Sequence, residues 1–344
     1  MNKLFTLILL VFFTIDSSGQ NDNSDNGLKI AFGSCANQVL PNNIWPSIVN
    51  ENADVWIWTG DIIYMDSDNL DFTKKAYDIQ KSNPDYVRLL KTSEIIGIWD
   101  DHDYGLNDGG KEWEVKDAKK ELMLEFLDEP DNSPRHNHKG VYTSYDYKVD
   151  NAVTVKVILL DGRYFRDTLS YSPIRGRRYE PNPYGQGTIL GEVQWAWLEE
   201  ELNNSDAQLN IIVSGIQVLS EEHGFESWGG NFLHERDKLF ELLKSSNAQN
   251  VMFISGDRHI AENSKTEIEG LNYPIYDVTS SGLTHSYEGA DEPNKYRVSQ
   301  LIDQKNYGVL NIKSIDNKLS VDVSIKGESD TLYYQETILY NIDE

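Results

Sequence analysis

Ile95-Ile96-Gly97-Ile98-Trp99-Asp100-Asp101-His102-Asp103 is the stretch on which the fold turns. A short apolar run gives way at once to three carboxylates and an imidazole. Such a run is the mark of a buried strand. The same grammar occurs three more times: residues 28–32 lead into Gly33-Ser34-Cys35, 55–58 into Gly60-Asp61-Ile62-Ile63-Tyr64, and 251–254 into Gly256-Asp257-Arg258-His259. Four strands that finish on such residues would place them along one sheet edge, where α/β sheets carry their sites. A thiol, several carboxylates, a phenol and two imidazoles gathered there form a ligand set for more than one metal ion.

Composition allows a large layered protein. The chain has 344 residues, 39% of them hydrophobic and 11% aromatic, enough for a sizeable core. A formal charge of -25 repels phosphate backbones at long range and argues against nucleic acid as a binding partner. An anionic substrate would need a local cationic centre, which bound metals supply. Lys3 precedes an apolar stretch over 4–15, too short to span a bilayer, and Ser17-Ser18-Gly19 offers small residues for cleavage. Residues 1–19 therefore read as a signal peptide and 20–27 as a flexible leader, with 28–344 the working domain. No cysteine follows the apolar stretch to take a lipid, and no later run is long enough to cross a membrane, so a periplasmic or secreted protein without a membrane anchor is expected. The composition leaves the oligomeric state open.

The single cysteine, Cys35, forbids an internal disulfide. A lone cysteine is ordinarily a small buried hydrophobe; its place at a strand end beside the other motifs favours a ligand. Amphipathic helices are predicted over 42–49, 72–79, 86–90, 111–127 and 190–202, and strands over 141–149, 153–160 and 209–213. From 274 onward the runs at 274–278, 307–312, 319–325 and 331–339 read as strand. The fold class is α/β, a sandwich of two mixed sheets flanked by helices. Residues 170–187, with Arg175, Arg177 and Arg178, form a long loop or lid near the site.

The four segments, with Leu160-Asp161-Gly162-Arg163 and Ser280-Ser281-Gly282-Leu283-Thr284-His285, resemble the PhoD-like alkaline phosphatase and phosphodiesterase family of metallophosphoesterases. The resemblance runs from residue 28 to about 340, and the Trp-Asp-Asp-His-Asp segment is its most specific part. The family's additional N-terminal domain is not expected, since Gly33-Ser34-Cys35 follows directly on the leader. The resemblance implies a four-layer αββα phosphoesterase core and a mixed centre of ferric iron with one or two calcium ions, for which Mg²⁺, Mn²⁺ or Zn²⁺ could substitute.

Each residue type fits a role in that chemistry. Asp61, with two oxygens, is the natural bridge between two cations. Tyr64 as a phenolate, Cys35 as a thiolate and His259 make a softer, iron-like site. Asp101 and Asp257 offer hard oxygens suited to Ca²⁺ or Mg²⁺, and Asp100 is a candidate for an additional calcium. His102 should face the substrate, bonding the phosphoryl group or protonating the leaving alkoxide. The nucleophile would be a metal-bound hydroxide.

Asn107 and Arg163 are candidate phosphate clamps, with a structural salt bridge the competing role for Arg163. Where related binuclear phosphoesterases place a metal-binding histidine after the strand at 211–213, this chain has Gln217, which suits an oxygen-loving second cation. His223 lies nearby in the next loop. His285 belongs to the family pattern without a role that its chemistry dictates, and His136, His138 and His234 read as ordinary surface or turn residues. The expected activity is hydrolysis of small phosphate esters. A phospholipase C/D-like, teichoic-acid or nucleotide phosphodiesterase on the same centre is the alternative, separated by whether diesters turn over faster than monoesters. A non-catalytic extracellular calcium-binding module is the third class, and it would carry an incomplete ligand set.

Overall fold

Trp56 and Trp58 alternate along one strand and pack edge-on to each other and to Trp45, with ring centroids 5.4–5.6 Å apart. The Trp58 indole also donates to the Tyr86 hydroxyl at 3.1 Å. Edge-to-face pairs of this kind add about 0.5–1.5 kcal/mol each beyond the area they bury. This cluster seats the first layer of helices on the first sheet of the computed structural model, which describes residues 27–342. The expected signal peptide, and all but the last residue of the expected leader, lie outside the described residues.

The first sheet has its parallel part in β1 (Leu28–Gly33), β2 (Val55–Thr59) and β3 (Glu94–Ile98). β12 (Tyr307–Ile315), β13 (Lys318–Lys326) and β14 (Leu332–Asn341) extend it antiparallel, giving the order β14-β13-β12-β1-β2-β3. Helices α1 (Trp45–Asn50), α2 (Leu70–Lys81), α3 (Pro84–Leu89) and α5 (Lys116–Phe126) belong to its core; the single turn α4 (Asp101–Tyr104) follows β3.

The second sheet runs β10-β11-β9-β8-β5-β4. Its strands are β4 (Thr143–Lys148), β5 (Thr154–Leu159), β8 (Leu209–Ser214), β9 (Val251–Ser255), β10 (Ala261–Thr266) and β11 (Ile275–Ser280), the middle four parallel. A short ribbon, β6 (Ser170–Tyr171) with β7 (Tyr179–Glu180), stands apart.

The strand period of two builds the layers. Val155, Val157 and Leu159 of β5, with Ile211 and Val213 of β8, share a core with the first sheet. Their neighbours Ile158 and Ile212 share another with Trp195 and Leu198 of α6 (Gly191–Asn203) and Leu239 and Leu243 of α8 (Leu233–Ser245), which the short α7 (Trp228–Asn231) precedes. The result is helix, sheet, sheet, helix, the sandwich expected from the sequence.

Three details differ from expectation. The first helix begins at Trp45, with Pro46 in its opening turn, where a missing N–H costs nothing. The helix expected from 111 begins at Lys116. Strand β10 gave no apolar signal because its buried positions beyond Ala261 are polar: Glu262, Asn263 and Ser264 are all buried and hydrogen-bonded.

Candidate metal centre

The turn after β2 requires glycine at 60. Its φ is 99°, and a Cβ there would lie 2.4 Å from the Cβ of Asp100. That approach brings Asp61 against the turn after β3. A Cβ on Gly256 would lie 2.6 Å from the carbonyl oxygen of Thr59, so the turn after β9 closes on the same place from the second sheet. Backbone strain marks the residues so gathered. Cys35 (φ 62°), Asp61 (49°), Asp257 (70°) and His259 (54°) all take the left-handed region, which costs a non-glycine residue on the order of 1–3 kcal/mol and persists where the surroundings over-determine it.

Asp61 faces two ways. Its Oδ2 is 3.5 Å from the Cys35 thiol and 3.4 Å from the Tyr64 hydroxyl, and its Oδ1 accepts the His102 backbone N–H at 3.2 Å. The Tyr64 hydroxyl is 2.9 Å from His259 Nε2. His102 stacks on the Tyr64 ring at 4.1 Å and presents Nδ1 to both oxygens of Asp66, each at 2.9 Å. Nε2 is therefore the nitrogen left for a ligand. His285 packs edge-on to Tyr64 (5.0 Å) and His259 (4.3 Å), while Thr284 donates to the Cys35 carbonyl at 2.9 Å. The Ser280–His285 segment thus buttresses the cysteine loop.

Among the described residues, four groups bring three ligand atoms within 4.8 Å of one another: Cys35-Asp61-His259, Asp61-Asp101-His102, Asp100-Asp101-Asp257 and Asp101-Asp108-Glu226. Donor satisfaction tests whether these fit cations. Asp100 Oδ2, Asp101 Oδ1, Asp257 Oδ2 and His259 Nδ1 are buried without a hydrogen-bond partner. Buried acceptors left this way cost about 1–3 kcal/mol each, more when charged, and a cation removes that cost. The residues present fit bound metal.

Electrostatics agree. Burial first, and then the charge of Asp61, push the Cys35 thiol up; burial and Asp101 do the same to Asp61. Burial raises Tyr64, Asp257 and, to about 6, Asp100. At Asp101 burial is outweighed by Arg163 and His102, which hold the carboxyl low. Burial, with His285 and Arg258 beside it, lowers His259 to about 3 and keeps the imidazole neutral. A cation reverses the upward shifts and is bound with release of protons.

The other candidates divide. Asn107 is exposed and lines the small cavity over the site. Arg163 does not reach it: the side chain is 1% exposed, donating from Nε to Asp100 at 2.7 Å and from Nη1 to Glu226 at 2.8–2.9 Å. The phosphate-clamp expectation for Arg163 is corrected by this burial, which leaves it the salt-bridge role. Gln217 also stays out of the cavity, its amide donating to Glu262 at 2.8 Å and Thr279 at 2.9 Å. His223 is buried, its Nδ1 accepting the Phe225 N–H at 3.1 Å.

Sequence reasoning missed Asp66, Asp103, Asp108 and Glu226. Asp66 sits five residues past Asp61, close enough to suggest a shared loop. Asp103 ties Asp100 N (2.6 Å) to Ile62 N (3.1 Å) and so joins the two motif turns. Nothing in the local sequence singles out Glu226.

A family model described as PhoD-like phosphatase matches residues 69–306. Alkaline phosphatase D of Bacillus subtilis (strain 168) is 25% identical over 146 residues, which is 39% of this chain and 25% of that protein. The chain thus spans about a quarter of the length of this curated relative. A solved structure described as "Structure of PhoD" superposes with a TM-score of 0.73 at 17% identity, over 92% of this chain and 70% of that one. This likeness is one of fold. The family match extends over more than half of the residues, and the chain belongs to the PhoD-like phosphatase family.

Proposed function

We propose that this protein hydrolyses phosphoric esters with bound cations that Asp61 and the donors around it would hold. The observation that carries the reading is the two-sided setting of that carboxylate, Oδ2 toward Cys35 and Tyr64 and Oδ1 toward the His102 turn. Cys35, Tyr64 and His259 are donors for ferric iron, and Asp101, Asp257 and Asp100 for calcium. When bound, the cations supply Lewis acidity toward the phosphoryl oxygens and acidify water.

The chain's own side chains do the rest. Asn107 and His102 line the cavity, Asn107 to bind the phosphoryl oxygens and His102 to face the leaving oxygen. Burial opposes a charge on His102 while Asp61, Asp66 and Asp101 favour it, and Asp66, bonded to Nδ1, is the one of the three that the cations would leave to the imidazole. The protonated imidazole delivers its proton from Nε2 to the leaving oxygen, with Nδ1–H held by Asp66. Export follows from the reading of residues 1–19, and among the described residues no helix is long and apolar enough to cross a membrane.

Metal analysis of untagged, chelator-free protein, with turnover of an aryl phosphate and its diester, tests the reading. Iron with a visible thiolate or phenolate charge-transfer band, and activity lost on chelation and restored better by Ca²⁺ than by Zn²⁺, are expected. Colourless, iron-free protein with full activity would sink the iron assignment; full reactivation by zinc alone would sink the calcium one.

A further inference from the structure

The loop over 170–187 carries three arginines that the mechanism above does not use. One of them reaches the site. Ribbon β6–β7 is pinned by the Arg178 and Tyr179 N–H groups, both 2.9 Å from the Gly224 carbonyl, and the Tyr179 hydroxyl donates to Asp108 Oδ2 at 2.6 Å. This anchoring sets Arg178 in the wall of the cavity formed by Asp101, His102, Asp257 and His259.

Two arginines line that cavity, and their settings differ. Arg258 is 5% exposed, forked onto Glu292 and covered by the Phe225 ring at 4.0 Å. Its donors are committed. The Arg178 side chain is 46% exposed and pairs through Nη1 with Asp108 Oδ2 at 2.8 Å. Asp108 Oδ2 is shared, since it also accepts the Tyr179 hydroxyl, so the carboxylate that holds Arg178 keeps a donor when the guanidinium leaves it. The backbone is pinned, and the guanidinium, unlike that of Arg258, is close to half exposed and held by this one ion pair.

We infer that Arg178 is the substrate-binding cation of this site, releasing Asp108 to grip two non-bridging oxygens of the phosphoryl group with its guanidinium fork. It takes the place that sequence reasoning gave to Arg163. The inference rests on the phosphoesterase reading. It also answers how a chain of charge -25 admits an anion, by placing a half-exposed positive group in the cavity wall.

The test is binding of inorganic phosphate to metal-loaded protein by calorimetry, with its competitive Ki against an aryl phosphate. Losing a charged hydrogen bond weakens binding by about ten- to a hundredfold. Arg178→Ala is expected to show that loss in both constants, with KM rising and kcat changing less. Arg178→Lys should keep part of the affinity as a point charge, and the exposed Arg175→Ala, equal in charge change, should bind as wild type. Phosphate binding unaltered in Arg178→Ala, or lost equally in Arg175→Ala, overturns the inference. If wild-type protein binds phosphate through Arg178 but turns over no ester, the inference stands and the hydrolase reading fails.

Discussion

The Asp66–His102 pair offers the sharpest test of how the protein would expel its leaving group. His102 Nδ1 lies 2.9 Å from both Asp66 oxygens, while the Asp66 side chain is 45% exposed. Solvent screens such a pair, so its worth falls toward about 1–2 kcal/mol rather than the larger value of a buried one. Asp66→Asn should then lower kcat about tenfold for an alkyl phosphate such as glycerol phosphate. His102→Ala should cost about a hundred- to ten-thousandfold on the same substrate. On p-nitrophenyl phosphate, whose leaving group needs no proton, both should change kcat little. The double variant should match His102→Ala alone, because Asp66 acts through the imidazole. Steady-state kinetics on the two substrates, with metal content measured alongside, reads all of this. Equal losses on both substrates would refute leaving-group protonation, additive losses would refute the positioning role, and lost metal would make His102 a ligand.

Asp61→Asn should be the most damaging single change, lowering iron and calcium content together in metal analysis, since one carboxylate faces both ligand sets. Arg163→Met leaves Asp100 buried without its partner and Glu226 with Arg166 alone, and should destabilise by about 3–5 kcal/mol in urea unfolding, with Glu226→Gln restoring part; a loss under about 1 kcal/mol would show the ion pairs to be idle. Burial, and after it the charges of Arg258 and Arg177, lower His223 from 6.5 to about 3. The unfolded chain then takes up the proton that the folded one refuses, so stability is lost as pH falls from about 6.5 toward 3. Between pH 7 and pH 5 the wild type should lose about 2 kcal/mol more than His223→Gln, and equal losses would mean that His223 is protonated in the fold.

The four strand-end motifs were legible because apolar strands and polar turns are local signals, each contained in about ten residues. Cys35, Asp61, Tyr64, Asp101, Asp257 and His259 fall where strands stop, and the structure brings them together. What was not legible depends on pairs far apart in the chain. Arg163 reads as a phosphate clamp until Glu226 and Asp100, each 63 positions away, are seen on its guanidinium. Arg178 reads as one basic residue in a loop until the ribbon folds it beside Asp108. Strand β10 was invisible for the opposite reason, since its buried face satisfies itself by hydrogen bonds and its sequence looks like a loop.

The aspartates show how one residue type at one depth serves two purposes. Asp103, Asp161 and Asp277 are buried, and each has both oxygens occupied: Asp103 by Asp100 N and Ile62 N, Asp161 by Val141, Arg163 and Tyr164 N, Asp277 by Val218 N, Leu219 N and the Ser255 hydroxyl. These carboxylates splice turns together, each oxygen already held by a donor of the protein itself. Asp100 and Asp101 are as deeply buried and Asp257 nearly so, yet each keeps one oxygen without a hydrogen bond, that of Asp257 facing Arg258 Nη1 at 3.6 Å. The fold fills both oxygens of each member of the first set and leaves one oxygen of each member of the second without a hydrogen bond, even where a backbone donor holds the other, as Asp108 N does on Asp101 Oδ2 at 2.7 Å. That asymmetry marks Asp100, Asp101 and Asp257 as metal donors, and Asp61 joins them by another route: its Oδ2 partners are the Cys35 thiol and the Tyr64 hydroxyl, donors that give up their protons when a metal binds.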